Sequence, residues 1–255
     1  MTGFSYSRFE QHIELPNVGI GGQEKISAAS VLIVGCGGLG CPASLYLIAA
    51  GLGRLGLVDS DVVEKSNLQR QVLYGNEDLG KKKVDVAKEK LQQLSENQRI
   101  DSYDTFLNID NANSLISEYD IIVDATDNHQ ARLIINQVCK KLKKPWVYGS
   151  LYHFEGQIMA FDFKREDTPC FSCIFSDIHE TTSLPTCKSA GVLSTVPGVI
   201  GNLQATEVLK LILDLDHKNK APTLHLINLL TYNFSGITVA RNPNCKICGN
   251  DQIAD

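Results

Sequence analysis

The stretch Val31-Leu32-Ile33-Val34-Gly35-Cys36-Gly37-Gly38-Leu39-Gly40 decides the fold of this chain. Its first four residues are aliphatic, which is typical of a parallel strand buried on both faces. The glycines that follow let the backbone approach a phosphate closely, and they stand at positions Gly35, Gly37, Gly38 and Gly40. The apolar segment 42–50 then predicts a helix ending at Gly51, whose N-terminus would favour negative charge. Strand, glycine loop and helix in this order predict a nucleotide-binding α/β fold.

Strand and helix patterns alternate along most of the 255 residues. Apolar runs predict further strands at 55–58, 121–123, 146–148 and 157–161, and helical spacing occurs at 81–94, 131–142 and 199–213. This alternation predicts a Rossmann-like, mostly parallel sheet with crossover helices on its faces. The segments 223–228 and 236–239 predict late antiparallel strands. We expect residues 1–255 to form a single domain.

Composition and charge narrow the classes of protein. Hydrophobic residues make up 43% and charged residues 21%, as in an ordinary globular protein. The net charge of −5 argues against nucleic acid as the main partner. Residues 1–14 contain no long apolar run, so they do not predict a signal peptide, and no apolar stretch reaches the length of a membrane span. We expect a cytoplasmic protein without a nucleic-acid or membrane partner.

Polar residues beyond the glycine loop bear on which nucleotide is bound. Asp59 ends the second predicted strand, where a carboxylate can accept hydrogen bonds from ribose hydroxyls. Neither Asp59 nor the glycine loop distinguishes NAD or FAD from ATP. Arg70 and Lys83 favour ATP, because transfer of a phosphoryl or adenylyl group needs cations directed at the charge that develops on the phosphates.

For two of the candidate site residues a purely structural role is the alternative to ligand binding. Lys83 belongs to the run Lys81-Lys82-Lys83, which also suits a solvated helix start, and at most one of the three faces a given site because successive helical residues point ~100° apart. Asp127 follows a buried strand, where a carboxylate can hold Mg²⁺ while phosphates complete the coordination shell. The alternative for Asp127 is the N-cap of the next helix.

Four of the eight cysteines form two CxxC pairs, Cys170 with Cys173 and Cys245 with Cys248. Thiolates at this spacing fit one tetrahedral Cys₄ zinc site, in which zinc joins the C-terminus to the loop after Thr168. Such a closed shell is structural. A redox dithiol is the alternative, although one CxxC motif would suffice for it. Cys187 stands beside Lys188 in a predicted loop, as either a reactive thiol or an ordinary cysteine.

In combination these segments resemble the ThiF/MoeB/HesA family, the bacterial relatives of the ubiquitin-activating enzymes. The resemblance extends from residue 8 to residue 249 and rests on Lys83 and the segments 35–40, 59–61, 66–71, 124–128, 169–173, 187–193 and 245–249. It implies a homodimeric adenylyltransferase that uses ATP and Mg²⁺. The implied partner is a small ubiquitin-like sulfur carrier ending in Gly-Gly, of the ThiS or MoaD type in thiamine or molybdopterin biosynthesis. Its C-terminal glycine carboxylate is adenylated and pyrophosphate is released.

The resemblance also implies a role for each matched residue. Asp59 and Asp61 hold the ribose side of ATP, Arg70 and Lys83 hold the phosphates, and Asp127 binds magnesium. The nucleotide-binding set is completed by the loop glycines with Asn67 and Gln71. Cys187 corresponds to the cysteine that joins covalently to the carrier in ThiF-like members. Because the chain ends soon after the zinc cysteines, we expect no fused sulfurtransferase domain.

The N-terminus departs from the family pattern. Members begin RYxRQ, and their second arginine reaches the ATP of the partner subunit, whereas Gln11 stands at that position here. Arg8 lies three residues earlier, which on a helix is a neighbouring surface position, so it is the candidate replacement. Gln11 also leaves open the hypothesis of a binding subunit with reduced catalysis. A relative that adenylates a peptide is a further hypothesis, independent of this departure.

Overall fold

One eight-stranded sheet organises the chain in a computed structural model that describes residues 6–95, 97–175, 191–215 and 221–249. Its strands in chain order are β1 (Ser30–Val34), β2 (Arg54–Asp59), β3 (Arg99–Asp104), β4 (Ile121–Asp124), β5 (Trp146–Tyr152), β6 (Glu155–Phe161), β7 (Thr223–Asn228) and β8 (Asn233–Thr238). They are arranged in the order β3-β2-β1-β4-β5-β6-β7-β8. Strands β1 to β5 pair in parallel, and β6 to β8 are antiparallel. The predicted Rossmann-like sheet with late antiparallel strands is confirmed.

Helices cover both faces of the sheet. Within the described ranges they are α1 (Glu10–Ile13), α2 (Gly19–Ala28), α3 (Gly40–Ala49), α4 (Lys83–Leu94), α5 (Ile109–Ser117), α6 (His129–Lys141), α7 (Phe171–Ile174) and α8 (Thr195–Leu213). Val31 and Ile33 of β1 pack into a core with α3, α4 and α8, whereas Leu32 and Val34 pack into a second core with α5, α6 and α7. Alternate side chains of a strand point to opposite faces, so a fully apolar β1 serves both cores.

The glycine loop and α3 form as their sequence predicts. Pro42 lies in the first turn of α3, where a proline costs no helical hydrogen bond. Gly51 follows the helix with a φ of +87°, the left-handed conformation that commonly ends helices. The start and the end of α3 therefore follow from the local sequence.

Several elements differ from the prediction. Strand β3 is absent from the prediction because Ile100 is its only buried residue, so the apolar period is lost at this sheet edge. Helix α5 is also absent from the prediction, although Asn108 caps its N-terminus and Ala112 and Ile116 are buried. Helix α8 begins at Thr195 rather than 199, since Pro197 fits a first turn. Helix α4 begins at Lys83 rather than 81, and Lys82 has an extended ψ of 131°. Strand β8 begins at Asn233 and is exposed throughout, so its pattern carries no burial signal.

Candidate active site

The glycine loop is joined to the end of β2 by the carboxylate of Asp59. Its Oδ2 accepts a hydrogen bond from the backbone N–H of Cys36 at 2.7 Å, and its Oδ1 accepts one from the N–H of Asp61 at 2.8 Å. The Cys36 carbonyl accepts a further hydrogen bond from the Tyr74 hydroxyl at 2.7 Å. These contacts hold the loop at the carboxyl edge of the sheet, where ligands of parallel sheets bind.

Two loop glycines are required by the close approach of other segments. Gly35 has a φ of +100°, and a Cβ there would lie 2.6 Å from the carbonyl oxygen of Ala125. A Cβ at Gly38 would lie 2.9 Å from Pro197 and 3.7 Å from Cδ of Arg70. The loop thus brings the segments after β2 and β4 and the start of α8 together at one place.

The segment 66–71 lies against the glycine loop. Asn67 and Gln71 are 5% and 4% exposed, and Nε2 of Gln71 would lie 3.6 Å from a Cβ on Gly37. Arg70 is half-buried and donates from Nη1 to the carbonyl of Ser66 at 3.0 Å. That contact uses one of the five guanidinium donors, so the side chain retains donors for phosphate oxygens.

The structure distinguishes the three consecutive lysines. The side chain of Lys83 is 6% exposed, and its Nζ lies 2.8 Å from Oδ2 of Asp61. Lys81 and Lys82 have side chains that are 56% and 43% exposed, and they pair with Asp78 and Asp104 respectively. Only Lys83 of the three is a buried cation beside the glycine loop. The carboxylate of Asp61, predicted on the ribose side, is engaged with this lysine.

Asp127 is exposed in the loop between β4 and α6. The N-cap of α6 is its neighbour Asn128, whose Oδ1 accepts hydrogen bonds from the N–H groups of Gln130 and Ala131 at 2.9 and 3.3 Å. The alternative role of Asp127 as this N-cap is therefore wrong. Within the described residues its carboxylate makes no hydrogen bond or ion pair, and carboxylate oxygens are ligands that Mg²⁺ prefers.

Two residues beneath this loop were given no role of their own in the sequence-based prediction. Asp124 at the end of β4 is fully buried, and Arg132 of α6 lies beside it with Nε 3.3 Å from its Oδ2. The sequence did contain a signal for Asp124, because this acidic residue ends a strand that is otherwise entirely apolar. No local pattern indicated Arg132, because the pair forms only when α6 packs on the sheet.

The four paired cysteines meet in one cluster. Their Sγ atoms all lie within 4.8 Å of one another, with separations of 3.8 Å for Cys170–Cys173, 3.5 Å for Cys170–Cys245 and 3.3 Å for Cys173–Cys248. A disulfide requires ~2.05 Å, whereas four ligands around zinc at ~2.3 Å stand ~3.8 Å apart. Hydrogen bonds from the Cys170 thiol and from the N–H of Asn242 lower the pKa of Cys173. The cluster fits a structural zinc ion.

The remaining cysteines and the N-terminal arginine lie elsewhere. Burial raises the pKa of Cys41 to about 12 and that of Cys36 well above its usual value, so both thiols are poor nucleophiles. Cys187 lies outside the described residues.

Arg8 lies far from the site of its own chain. It donates a hydrogen bond to the carbonyl of Leu94 at the end of α4, and Lys83 is the first residue of that helix. Arg8 is therefore separated from the site by ~16 Å of helix.

The glycine loop, the acid that closes β2 and the crossover connections define an α/β nucleotide-binding protein of the Rossmann class. Comparison with family models matches residues 9–247 to the ThiF family. The chain belongs to this family and is an adenylyltransferase. No helix in the described part of the chain has both the length and the apolar character needed to cross a membrane.

Individual relatives agree with this assignment. The chain is 42% identical over 247 residues to a sulfur carrier protein adenylyltransferase of Thermus thermophilus, covering 96% of this chain and 91% of the relative. It is 36% identical to a SAMP-activating enzyme E1 of Haloferax volcanii, covering 97% and 92%. Against a probable molybdopterin-synthase adenylyltransferase of Porphyra purpurea the identity is 43%, covering 82% of this chain but only 54% of the relative. The chain thus spans about half the length of that last protein.

Solved structures show the same fold. A crystal structure of E. coli MccB with MccA-N7isoASN superimposes with a TM-score of 0.83, covering 98% of this chain and 76% of that chain. The sequence identity is 22%, so this likeness concerns the fold.

Proposed function

We propose that this enzyme uses ATP and Mg²⁺ to adenylate the C-terminal glycine carboxylate of a ubiquitin-like sulfur carrier ending in Gly-Gly, of the ThiS or MoaD type. The observation that carries the proposal is Lys83, a buried cation held 2.8 Å from Asp61 beside the glycine loop. Such a cation suits a reaction in which negative charge develops on phosphate oxygens. Two of the relatives are a sulfur carrier protein adenylyltransferase and a probable molybdopterin-synthase adenylyltransferase, and their names support this class of substrate.

In the proposed reaction a carboxylate oxygen of the carrier attacks the α-phosphorus of ATP. The new bond is a carboxyl–phosphate anhydride, the bond from the α-phosphorus to the bridging oxygen breaks, and pyrophosphate leaves. Negative charge develops on the phosphate oxygens, and Lys83 and Arg70 supply preorganised donors for it. Asp61 takes one of the three N–H groups of Lys83 and leaves two for the phosphates.

Asp59 and Asp127 would bind the two ends of the nucleotide. The Asp59 carboxylate accepts two backbone hydrogen bonds and keeps lone pairs for ribose hydroxyls. Asp127 would hold Mg²⁺, which neutralises charge on the phosphates when it is bound. A zinc ion on the four clustered cysteines would have no open coordination position and no part in the chemistry.

We further propose that the enzyme is a homodimer in which Arg8 of one subunit reaches the site of the other. Supporting this, Arg8 stands at the far end of α4 from Lys83 in its own chain. Apolar side chains also lie exposed on helices α2 and α3, with Ile20 52% and Tyr46 59% exposed. Cys187 stays a prediction as the residue that joins covalently to the carrier.

Carrier-dependent exchange of radiolabelled pyrophosphate into ATP tests the proposed function. We expect exchange with an intact carrier and none with the same carrier shortened by its two C-terminal glycines. The free C-terminal peptide serves as a further arm. Full exchange with the peptide alone would favour a peptide-adenylating enzyme, and no exchange with any carrier would refute the proposal.

A further inference from the structure

The loop that carries Asp127 is held at a single residue, Thr126, through both its backbone N–H and its backbone carbonyl. The Thr126 N–H donates to Oδ1 of Asp124 at 3.0 Å, and its hydroxyl donates to the same oxygen at 2.7 Å. The Thr126 carbonyl accepts a hydrogen bond from Nη2 of Arg132 at 2.7 Å. An N–H and a carbonyl bonded in this way leave the backbone little freedom to rotate at Thr126, and Asp127 is the next residue.

The two charged groups are themselves anchored to neighbouring elements. Nη2 of Arg132 also lies 3.4 Å from the carbonyl of Gly149 on β5, and its guanidinium stands 5.2 Å over the ring of Tyr148. From α8, Nε2 of Gln204 donates to the backbone carbonyl of Asp124 at 2.6 Å. The contacts of Asp124 and Arg132 with Thr126 form a clamp on this residue. The clamp is anchored to β4, β5, α6 and α8, all of which belong to the packed core.

Stability alone does not account for this pair. Asp124 is completely buried, and burial raises its pKa in spite of Arg132. Oδ2 of Asp124 and Nε of Arg132 stand 3.3 Å apart, and neither makes a hydrogen bond of good geometry with the described residues. Buried ion pairs of this kind are often no more stabilising than apolar side chains of the same size. The pair therefore needs a role other than stabilisation, and holding Asp127 in position is such a role.

We propose that Arg132 and Asp124 are positioning residues, which fix the Thr126 peptide so that the Asp127 carboxylate faces the metal–triphosphate. The inference rests on the role of Asp127 in the proposed function. Residues that orient a metal ligand from behind typically change metal affinity by ~10–100-fold when they are replaced. The clamp also explains why a site carboxylate can lie in an exposed loop and still have a defined position.

The test measures metal binding directly, with Mn²⁺ in place of Mg²⁺ and a non-hydrolysable ATP analogue, by electron paramagnetic resonance. Arg132→Met should weaken Mn²⁺ binding by ~10-fold or more. Arg132→Lys keeps the charge but lacks the planar fork, and should give a smaller loss. Lys141→Met removes an exposed cation from the same helix and should bind Mn²⁺ like the wild type.

Two further measurements separate positioning from a general loss of structure. The Mg²⁺ concentration for half-maximal exchange should rise in parallel with the Mn²⁺ dissociation constant, and the double variant Asp127→Asn/Arg132→Met should bind Mn²⁺ no more weakly than Asp127→Asn alone. Wild-type Mn²⁺ affinity in both Arg132 variants, or additive losses in the double variant, would overturn the inference. Failure of the proposed function differs, because wild-type exchange would then not depend on a carrier whatever the Mn²⁺ affinity.

Discussion

Burial gives Lys83 a chemical environment that its two neighbours lack. Its ammonium group is withdrawn from water and oriented by Asp61, whereas Lys81 and Lys82 remain solvated. A cation in a site of low dielectric interacts more strongly with a developing charge than one in water. At this scale, the proposed role of Lys83 depends on which lysine is buried rather than on how many lysines there are.

Lys83→Ala should lower the exchange rate by ~10²–10³-fold, as loss of one preorganised donor does elsewhere, and Arg70→Ala should act similarly. Pyrophosphate exchange measures the effect. Lys82→Ala is the matched control and should change the rate little. Since the Asp61 side chain is 50% exposed, it stays solvated without Lys83, and the melting temperature should change little. Equal losses in the Lys82 and Lys83 variants would contradict the assignment.

Asp127→Asn should raise the Mg²⁺ concentration needed for exchange and leave the melting temperature unchanged. The reason is that Asn128, not Asp127, caps α6. The neighbouring Asn128→Ala should lower stability by ~1 kcal/mol, the usual cost of losing an N-cap. Metal titrations of exchange and thermal unfolding of both variants distinguish the two residues. A large fall in melting temperature for Asp127→Asn would count against a metal-binding role.

At the scale of the secondary structure elements, helix α7 and strand β3 are both held in place by side-chain contacts with other segments of the chain. Helix α7 is a single turn, and the C-terminal segment 239–249 contains no helix or strand, yet Cys170 and Cys245 bring them together. At one edge of the sheet, strand β3 has a single buried residue, and an ion pair of 2.7 Å between Asp101 and Arg54 joins it to β2. In both places side-chain chemistry compensates for a small apolar core.

The purified protein should contain one zinc ion per chain. Cys173→Ser or Cys248→Ser should release the zinc and destabilise the fold, because binding energy at a structural site is also folding energy. Elemental analysis and thermal unfolding measure the two effects. Cys139→Ala alters a buried cysteine outside the cluster and should keep its zinc. Metal-free protein that cycles rapidly between dithiol and disulfide would favour a redox function.

Acid should remove the contribution of Asp101 to stability. Burial raises the pKa of Asp101, but hydrogen bonds from Arg54 and Arg99 outweigh it and lower the pKa below its usual value. Its contribution is therefore complete above the unfolded pKa of ~3.9 and is lost as the pH falls through the lower folded pKa. The stability difference between wild type and Asp101→Asn, from urea unfolding, should be constant from pH 7 to ~5 and shrink below ~4. Glu89→Gln, at an exposed position, should show no such difference.

On the scale of the whole molecule, one described chain contains every proposed site residue except Cys187, but its Arg8 lies far from Lys83. Helix α4 runs between them, with Lys83 at its first residue and Arg8 bound to its last carbonyl. In a two-fold symmetric dimer the N-terminus of each subunit can approach the site of the other. A composite site would give the exposed N-terminal residues a function.

Arg8→Ala should impair exchange, and mixing it with inactive Arg70→Ala chains should restore about a quarter of wild-type activity. Random two-fold assembly makes half of the dimers mixed, and each mixed dimer has one complete site. Arg70→Ala mixed with Lys83→Ala is the control and should restore nothing, since both residues serve the same chain's site. If Arg8→Ala instead only lowers the melting temperature and mixing has no effect, Arg8 acts at the end of α4.

The sequence by itself determined the parts of this protein that depend on local chemistry. An apolar strand followed by glycines specifies the turn at Gly35, and two CxxC pairs predict the single cluster of four cysteines that the structure contains. Only the tertiary structure decided which lysine is buried, that Asn128 and not Asp127 caps α6, that β3 closes the sheet edge, and that Arg132 clamps Thr126. Burial and pairing across distant segments decide these points, and neither has a periodicity in the local sequence that can be read in advance.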